Sequence, residues 1–487
     1  MLCYVRPSPR SSELLLKRSN LPRVSSRTAQ APEVRRTSEG GNPIGRRRRS
    51  RSKTSEAPVK VGALVVAFCA LLTLTLLGPL MTYESEGVSG GGQLVRQLGY
   101  IAIALLAAYS VRATKVWRRL AVVPVPIIIA IVWCWLSVTW AFDPRISVRR
   151  VILLTMVLWS CFVIVRQLGY RATLFLVRSS LVILLIANLI AVFYYPSIAI
   201  HNFDPLGEDS LKGDWRGIMG HKNMAGLVAA LTVLLFTFDR NEMPRLVQLA
   251  VIGVASYFLW FTSSRTSVAV CGAALVIGFL YSWYRFKYRP LAIGAVVILT
   301  LVGAIVQNVY SDPFLRTLND PAAFTGRTVI WAAMWNFYRN FPFFGAGYGS
   351  FWNIGPASPI NQYGSDWLLN VYEGHNGYLD LLVTIGPVGL GLVVFAAIIM
   401  PIVRLMNWRQ NRAQAGALLM SVMVFAIGHN ATESSLFDRD SIGQVFLMIN
   451  LALIWSVTAG GRGVAAGGAD LFSWANRDEK NPDSSDG

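Results

Sequence analysis

Apolar runs close to the ~20 residues that cross a bilayer recur along this chain, and no other feature limits its fold as tightly. They lie near 61–82, 98–112, 120–140, 150–166, 174–196, 224–238, 246–262, 266–283, 290–308, 377–403, 414–428 and 441–459. Hydrocarbon offers no water to backbone N–H and C=O groups, so each run must satisfy them within itself, as a helix. The expected fold class is an all-α polytopic membrane protein of about 12 transmembrane helices. Composition points the same way: 15% of the 487 residues are charged and 54% hydrophobic, where soluble domains carry about 25% charged residues. Several runs are short and need tilt or flanking residues to complete a crossing.

Loop charge sets the orientation. With residues 1–60 in the cytoplasm, the inside loops hold Arg112, Lys115, Arg118 and Arg119; Arg166 and Arg171; Arg240 and Arg245; Arg285, Lys287 and Arg289; and Arg404, Arg409 and Arg412. The outside loops are poorer in short-loop charge, apart from Arg145, Arg149 and Arg150. Adding or dropping one span would flip every later loop, so both termini are expected inside. Much of the net charge of +19 comes from residues 1–60, with Arg46 to Arg49, Arg51 and Lys53 among serines, prolines and glycines. Such a segment cannot bury enough apolar surface to order itself. It is expected to be a disordered cytoplasmic arm held at anionic lipid rather than a nucleic-acid binder. Residues 61–460 then form the transmembrane domain, and 461–487 a cytoplasmic tail.

Two outside loops, 196–222 and 309–376, are long enough to carry function. The second is rich in aromatic, Gly and Pro residues, including Trp331, Trp335, Trp352, Trp367 and the run Phe341-Pro342-Phe343-Phe344-Gly345. It is expected to form amphipathic helices over the bundle. Charge at membrane depth is costly and marks candidate sites. Three such features share the outside: Trp215-Arg216-Gly217 with His221-Lys222-Asn223; Ser264-Arg265-Thr266 in a tight hairpin; and Gly326-Arg327 followed by Glu373-Gly374-His375-Asn376. Alone, Arg265 reads equally as an interface anchor and His375 as a polar group at a helix start capped by Asn376. Together, arginines without evident carboxylate partners suggest an anionic ligand, since the guanidinium fork matches phosphate oxygens. The five cysteines (Cys3, Cys69, Cys134, Cys161 and Cys271) and four histidines show no metal-ligand spacing. No metal, cofactor or disulfide framework is expected.

These motifs resemble the O-antigen ligase and Wzy-type polymerase superfamily, especially its ExoQ-like exopolysaccharide branch. His375-Asn376, nine residues, then Gly386-Pro387-Val388-Gly389 is similar to the ligase pattern. Trp215 to Asn223 resembles the motif of the polymerase and ExoQ-like members, Ser264-Arg265-Thr266 their Ser-Arg turn, and Gly326-Arg327 with 341–349 their long-loop signature. The resemblance covers about residues 60–460. It implies a GT-C-like bundle in the bacterial inner membrane, with the long loops periplasmic. It also implies transfer of a glycan from an undecaprenyl-diphosphate-linked donor to a glycan acceptor, without a metal. On that reading Arg265 and Arg327 neutralise the leaving diphosphate, as positioned cations do in phosphoryl chemistry. His375 is the general base, and Arg216, His221, Lys222, Asn223 and Asn376 bind substrate. Expected partners are the lipid-linked oligosaccharide, the growing glycan, membrane lipids, a flippase and chain-length or export proteins. Polymerisation of exopolysaccharide repeat units is the leading function. Ligation to lipid A core is the alternative within the family, and secondary transport of an anionic substrate the alternative outside it. A transporter would show polar or broken helices at the midplane, whereas these spans are mostly Leu, Val, Ile and Ala.

Overall fold

The structure, a computed structural model, describes residues 59–82, 94–113, 119–201, 211–239, 243–291, 294, 326–363, 368, 371–408 and 413–459. Helices account for the expected spans within those residues: α1 (Val61–Thr82), α2 (Leu94–Ser110), α3 (Val125–Leu136), α4 (Pro144–Tyr194), α5 (Lys222–Thr237), α6 (Arg245–Phe261) and α7 (Arg265–Trp283). After α8 (Arg327–Asn340) in the long loop come α9 (Gly377–Asn407), α10 (Ala413–His429) and α11 (Ile442–Thr458). The span expected at 290–308 lies outside the described residues except for 290, 291 and 294, as do nearly all of the arm and the tail. Among the described residues there is no strand, only an isolated antiparallel bridge between Ile200 and Trp215. Three helices, α4, α7 and α9, are long and apolar enough to cross a membrane, and shorter apolar helices accompany them.

Glycine breaks explain the two longest. As one rod, the 51 residues of α4 would reach ~76 Å, far beyond a ~30 Å hydrocarbon core. Gly169 interrupts it at φ 78°, ψ 175°, a region essentially only glycine adopts. Both ends of α4 are tied to one end of the bundle. Near its start, Asp143 N–H donates to Ser350 Oγ at 2.7 Å; near its finish, Ile218 N–H donates to Asn188 Oδ1 at 2.9 Å. Those two loops both reach the segment between α10 and α11, through Tyr348 OH to Phe437 O at 2.8 Å and Asn223 Nδ2 to Glu433 Oε1 at 2.7 Å. The chain therefore turns back at Gly169, between the basic residues Arg166 and Arg171.

In α9 the break falls at Gly386, φ 71° and ψ 178°, just before Pro387. Residues 387–407 are then about 31 Å long at ~1.5 Å per residue, matching the hydrocarbon thickness, while 377–385 stay with the loops. Buried side chains of α1–α7 and α9–α11 form one continuous apolar core. Small residues let helices approach closely: a methyl at Gly416 of α10 would meet the Tyr281 ring of α7 at 2.5 Å. Cys134, Cys161 and Cys271 are buried and unpaired, as small hydrophobes. The amphipathic α8 agrees with expectation. It turns Ile330, Ala333, Met334 and Phe337 into a separate small core with Ala346, Phe351 and Val383.

Candidate functional site

The segment between α10 and α11, Asn430-Ala431-Thr432-Glu433-Ser434-Ser435-Leu436, organises the polar end of the bundle. Asn430 shapes it: its Oδ1 accepts from Ser435 N at 2.9 Å and Leu436 N at 2.7 Å. Its carbonyl and that of Glu433 accept from Gly377 N at 2.9 and 3.1 Å, docking the segment on the start of α9. Glu433 is thereby buried, with its carboxylate at the meeting point of three other elements.

Arg327, the first residue of α8, brings one nitrogen to Glu433 Oε1 at 2.6 Å and donates the other to Thr432 O. Asn223 at the start of α5 donates Nδ2 to the same Oε1 at 2.7 Å. His375 places Nδ1 3.5 Å from Glu433 Oε2 and 3.2 Å from Glu373 Oε1. That nitrogen is buried and in ion-pair range, off the line of a hydrogen bond. The side chain keeps 27% exposure although Nδ1 is buried, so the nitrogen left for a substrate is Nε2. Burial pushes the Glu433 carboxyl up, but His375 and Arg327 outweigh burial and hold it at about 2. For His375, burial pushes down, and the Glu433 and Glu373 carboxylates outweigh it, so its pKa lies above the ordinary imidazole value.

The backbone at His375 has φ 47°, uncommon for a side chain of this size. Its neighbours hold it there. Asp380 accepts from Gly374 N at 3.2 Å and from Trp352 Nε1 at 2.6 Å, and Ser434 Oγ donates to it. Ser434 Oγ also accepts from Asn376 N at 3.0 Å. Asn376 caps α9, its Oδ1 accepting from Tyr378 N and Leu379 N at 3.2 and 3.1 Å. The loop carrying Trp352 is fastened from α4: buried Arg150 donates to the carbonyls of Gly349, Trp352 (2.8 Å) and Asn353 (3.0 Å).

The remaining expected residues are placed around this centre. Arg265 is exposed at the start of α7, with no hydrogen bond or ion pair among the described residues. Its neighbour Thr266 pairs with Thr432 through their hydroxyls at 2.8 Å, next to the carbonyl that Arg327 holds. Lys222 is ion-paired to Asp214 at 2.5 Å. Arg216 donates to Ile198 O at 2.9 Å and Gly220 O at 3.5 Å. His221 caps α5, its Nδ1 accepting from Asn223 N at 3.2 Å; burial drives its pKa down to about 4, keeping it a neutral acceptor.

Two expectations need correction. The outside cations do not all lack carboxylates: Arg327 has Glu433 and Lys222 has Asp214. Nor is a His/carboxylate cluster absent, because Glu373, His375 and Glu433 offer ligand atoms within 4.8 Å of one another. Sequence spacing misses every contact of Glu433, which lies 106 residues from Arg327 and 210 from Asn223, whereas Asp214 is only eight residues from Lys222. Beside Glu433 Oε1, where a cation would sit, the guanidinium stands at 2.6 Å. The sign that could have found Glu433 is the density of polar residues in a short loop between two apolar helices. Asp380, Trp352 and Arg150 carried no such sign of their roles.

The fold and this site together define an all-α membrane protein with a charged, partly open centre at one end of its helices. Residues 249–394 match the O-antigen ligase family, which supports the O-antigen ligase and Wzy-type superfamily for this chain. The matched stretch contains Arg265, Arg327, His375 and the Gly386 break, and leaves Asn223 and Glu433 outside. No curated protein matches the chain.

Proposed function

We propose that this chain polymerises exopolysaccharide repeat units on the periplasmic side of the bacterial inner membrane. It takes a glycan from an undecaprenyl-diphosphate-linked donor and joins it to a hydroxyl of a growing glycan. The observation carrying this reading is the convergence of Arg327, His375 and Asn223 on one buried carboxylate, with Arg265, unpaired among the described residues, next in sequence to the Thr266 that bonds Thr432. In the reaction the acceptor oxygen bonds to the anomeric carbon of the donor sugar, and the bond from that carbon to the phosphate oxygen breaks. The acceptor proton passes to His375 Nε2, and the lipid diphosphate leaves with the bonding electrons. Arg265 offers its fork to that anion, and Arg327 retains N–H groups beyond the two it spends on Thr432 and Glu433. A diphosphate needs no further activation as a leaving group, so the proposed chemistry uses no metal or nucleotide sugar. Fixed donors at the developing charge supply most of the rate.

Ligation to lipid A core is the second reading, favoured by the family description itself and by the spacing from His375 to Gly386-Pro387-Val388-Gly389. Glycan profiling of a deletion strain separates the two. Single repeat units left on lipid carrier mean polymerase, and long polymer left on carrier means ligase. Purified protein that moves no glycan from a lipid-diphosphate donor overturns both.

A further inference from the structure

We propose that Glu433 is the positioning residue of this centre, holding His375 with its proton on Nδ1 and Nε2 turned to the acceptor hydroxyl. The inference rests on the glycan-transfer reading and adds a carboxylate that no motif includes. Glu433 divides its two oxygens between two tasks. Oε1 receives Arg327 at 2.6 Å and Asn223 at 2.7 Å, so the carboxylate is fixed from α8 and α5. Oε2 is left facing His375 Nδ1 at 3.5 Å.

A base oriented by a buried anion is the logic of hydrolase triads: the anion selects the tautomer and stabilises the imidazolium that forms. Nδ1 is sealed between Glu433 and Glu373, so only Nε2 can meet a substrate. Arg327 in turn helps fix Glu433 in place and, with His375 itself, keeps it ionised. The charged and titratable groups facing His375 are Glu433, Glu373, Arg327, Asp380 and His221. Glu433 bonds Arg327 and Asn223 as well as facing His375. Glu373, by contrast, is 43% exposed and can share the imidazolium charge with solvent.

Both carboxylates favour the imidazolium, so activity that needs neutral His375 rises with pH through a value above the ordinary imidazole range. Glu433→Gln removes one of them, lowering that value and moving the rising limb toward acid. It also frees the ring, so kcat at the optimum falls about 10²-fold or more.

The test pairs kinetics with a readout independent of turnover. Diethyl pyrocarbonate acylates neutral imidazole, and peptide mass spectrometry reports its rate at His375 across pH. The labelling midpoint should fall in Glu433→Gln. Glu433→Asp keeps the charge but draws it back from Nδ1, so its midpoint should fall by less, and it serves if the Gln variant does not assemble. Coincident midpoints in wild type and in either assembled variant overturn the proposal. If the midpoints shift but wild-type protein transfers no glycan from a lipid-diphosphate donor, Glu433 still positions His375 and the glycan reading alone falls.

Discussion

Arg265 and Arg327 bring the same charge to one end of the bundle in different company, and lysine substitution separates their roles. Arg265 is exposed and unpaired among the described residues, so Arg265→Lys keeps a cation for the diphosphate and loses the bidentate fork. KM for the lipid donor should rise with protein abundance unchanged. Arg327→Lys loses a fork already spent on Glu433 and Thr432; kcat should fall more than KM rises. Equal, near-wild-type kinetics for both variants would take both away from the diphosphate, leaving Arg265 as an interface anchor and Arg327 as a structural partner of Glu433. His375→Ala should lower kcat by about 10²–10⁴-fold, the usual worth of a general base, in a single-turnover assay at normal abundance. Arg327, His375 and Asn223 were legible because each sits in a short motif beside a helix start. Glu433 was not. One carboxylate in a polar loop has no pattern until the fold brings Asn223 to it across 210 residues. Arg216 and Lys222 matched a motif equally well, and the structure ties them to backbone carbonyls and to Asp214.

At the scale of elements, hydropathy located the helices, since a run long enough to cross hydrocarbon has few other folds open to it. It also placed a loop between 166 and 174, where Gly169 breaks α4; what it could not locate was the break at Gly386, which depends on a single backbone torsion inside an unbroken apolar run. Gly169 and Gly386 share a conformation, φ 78° and 71°, but differ in surroundings. A methyl at Gly169 meets nothing within 4 Å, whereas one at Gly386 would lie 2.1 Å from the Phe343 carbonyl oxygen. Gly169→Ala should therefore cost only backbone strain, about 1–3 kcal/mol. Gly386→Ala should cost clearly more and displace the 341–349 loop. Thermal unfolding of the two variants in detergent compares them directly; equal losses would mean that the Phe343 contact has no energetic weight. A Gly386 variant should also show lower activity than a Gly169 variant, because the 341–349 loop leads into Trp352 and so to Asp380 beside His375.

For the molecule as a whole, the sidedness of the site is open to reporter fusions. Fusions after Arg245 and Arg409 should report cytoplasm, and fusions near Ser311 and Asp366 periplasm; a cytoplasmic signal from the loop containing Arg327 would remove the proposed reaction. Excess chelator should leave transfer intact, since Arg327 supplies the positive charge beside Glu433. Loss of transfer restored by a divalent ion would hand Glu373, His375 and Glu433 to a metal instead. The position of Glu433 along the chain also orders events at the ribosome. Arg327 and His375 emerge first and wait for the carboxylate that completes them. From residue 375 to residue 433, that wait is roughly 3–12 s at ~5–20 residues per second. Until then Arg327 stands at the start of α8 without the carboxylate it later pairs with. A nascent chain stalled before the α10–α11 segment would thus carry its arginines and its base without the anion that orients them, able to hold lipid-linked anions and unable to turn them over.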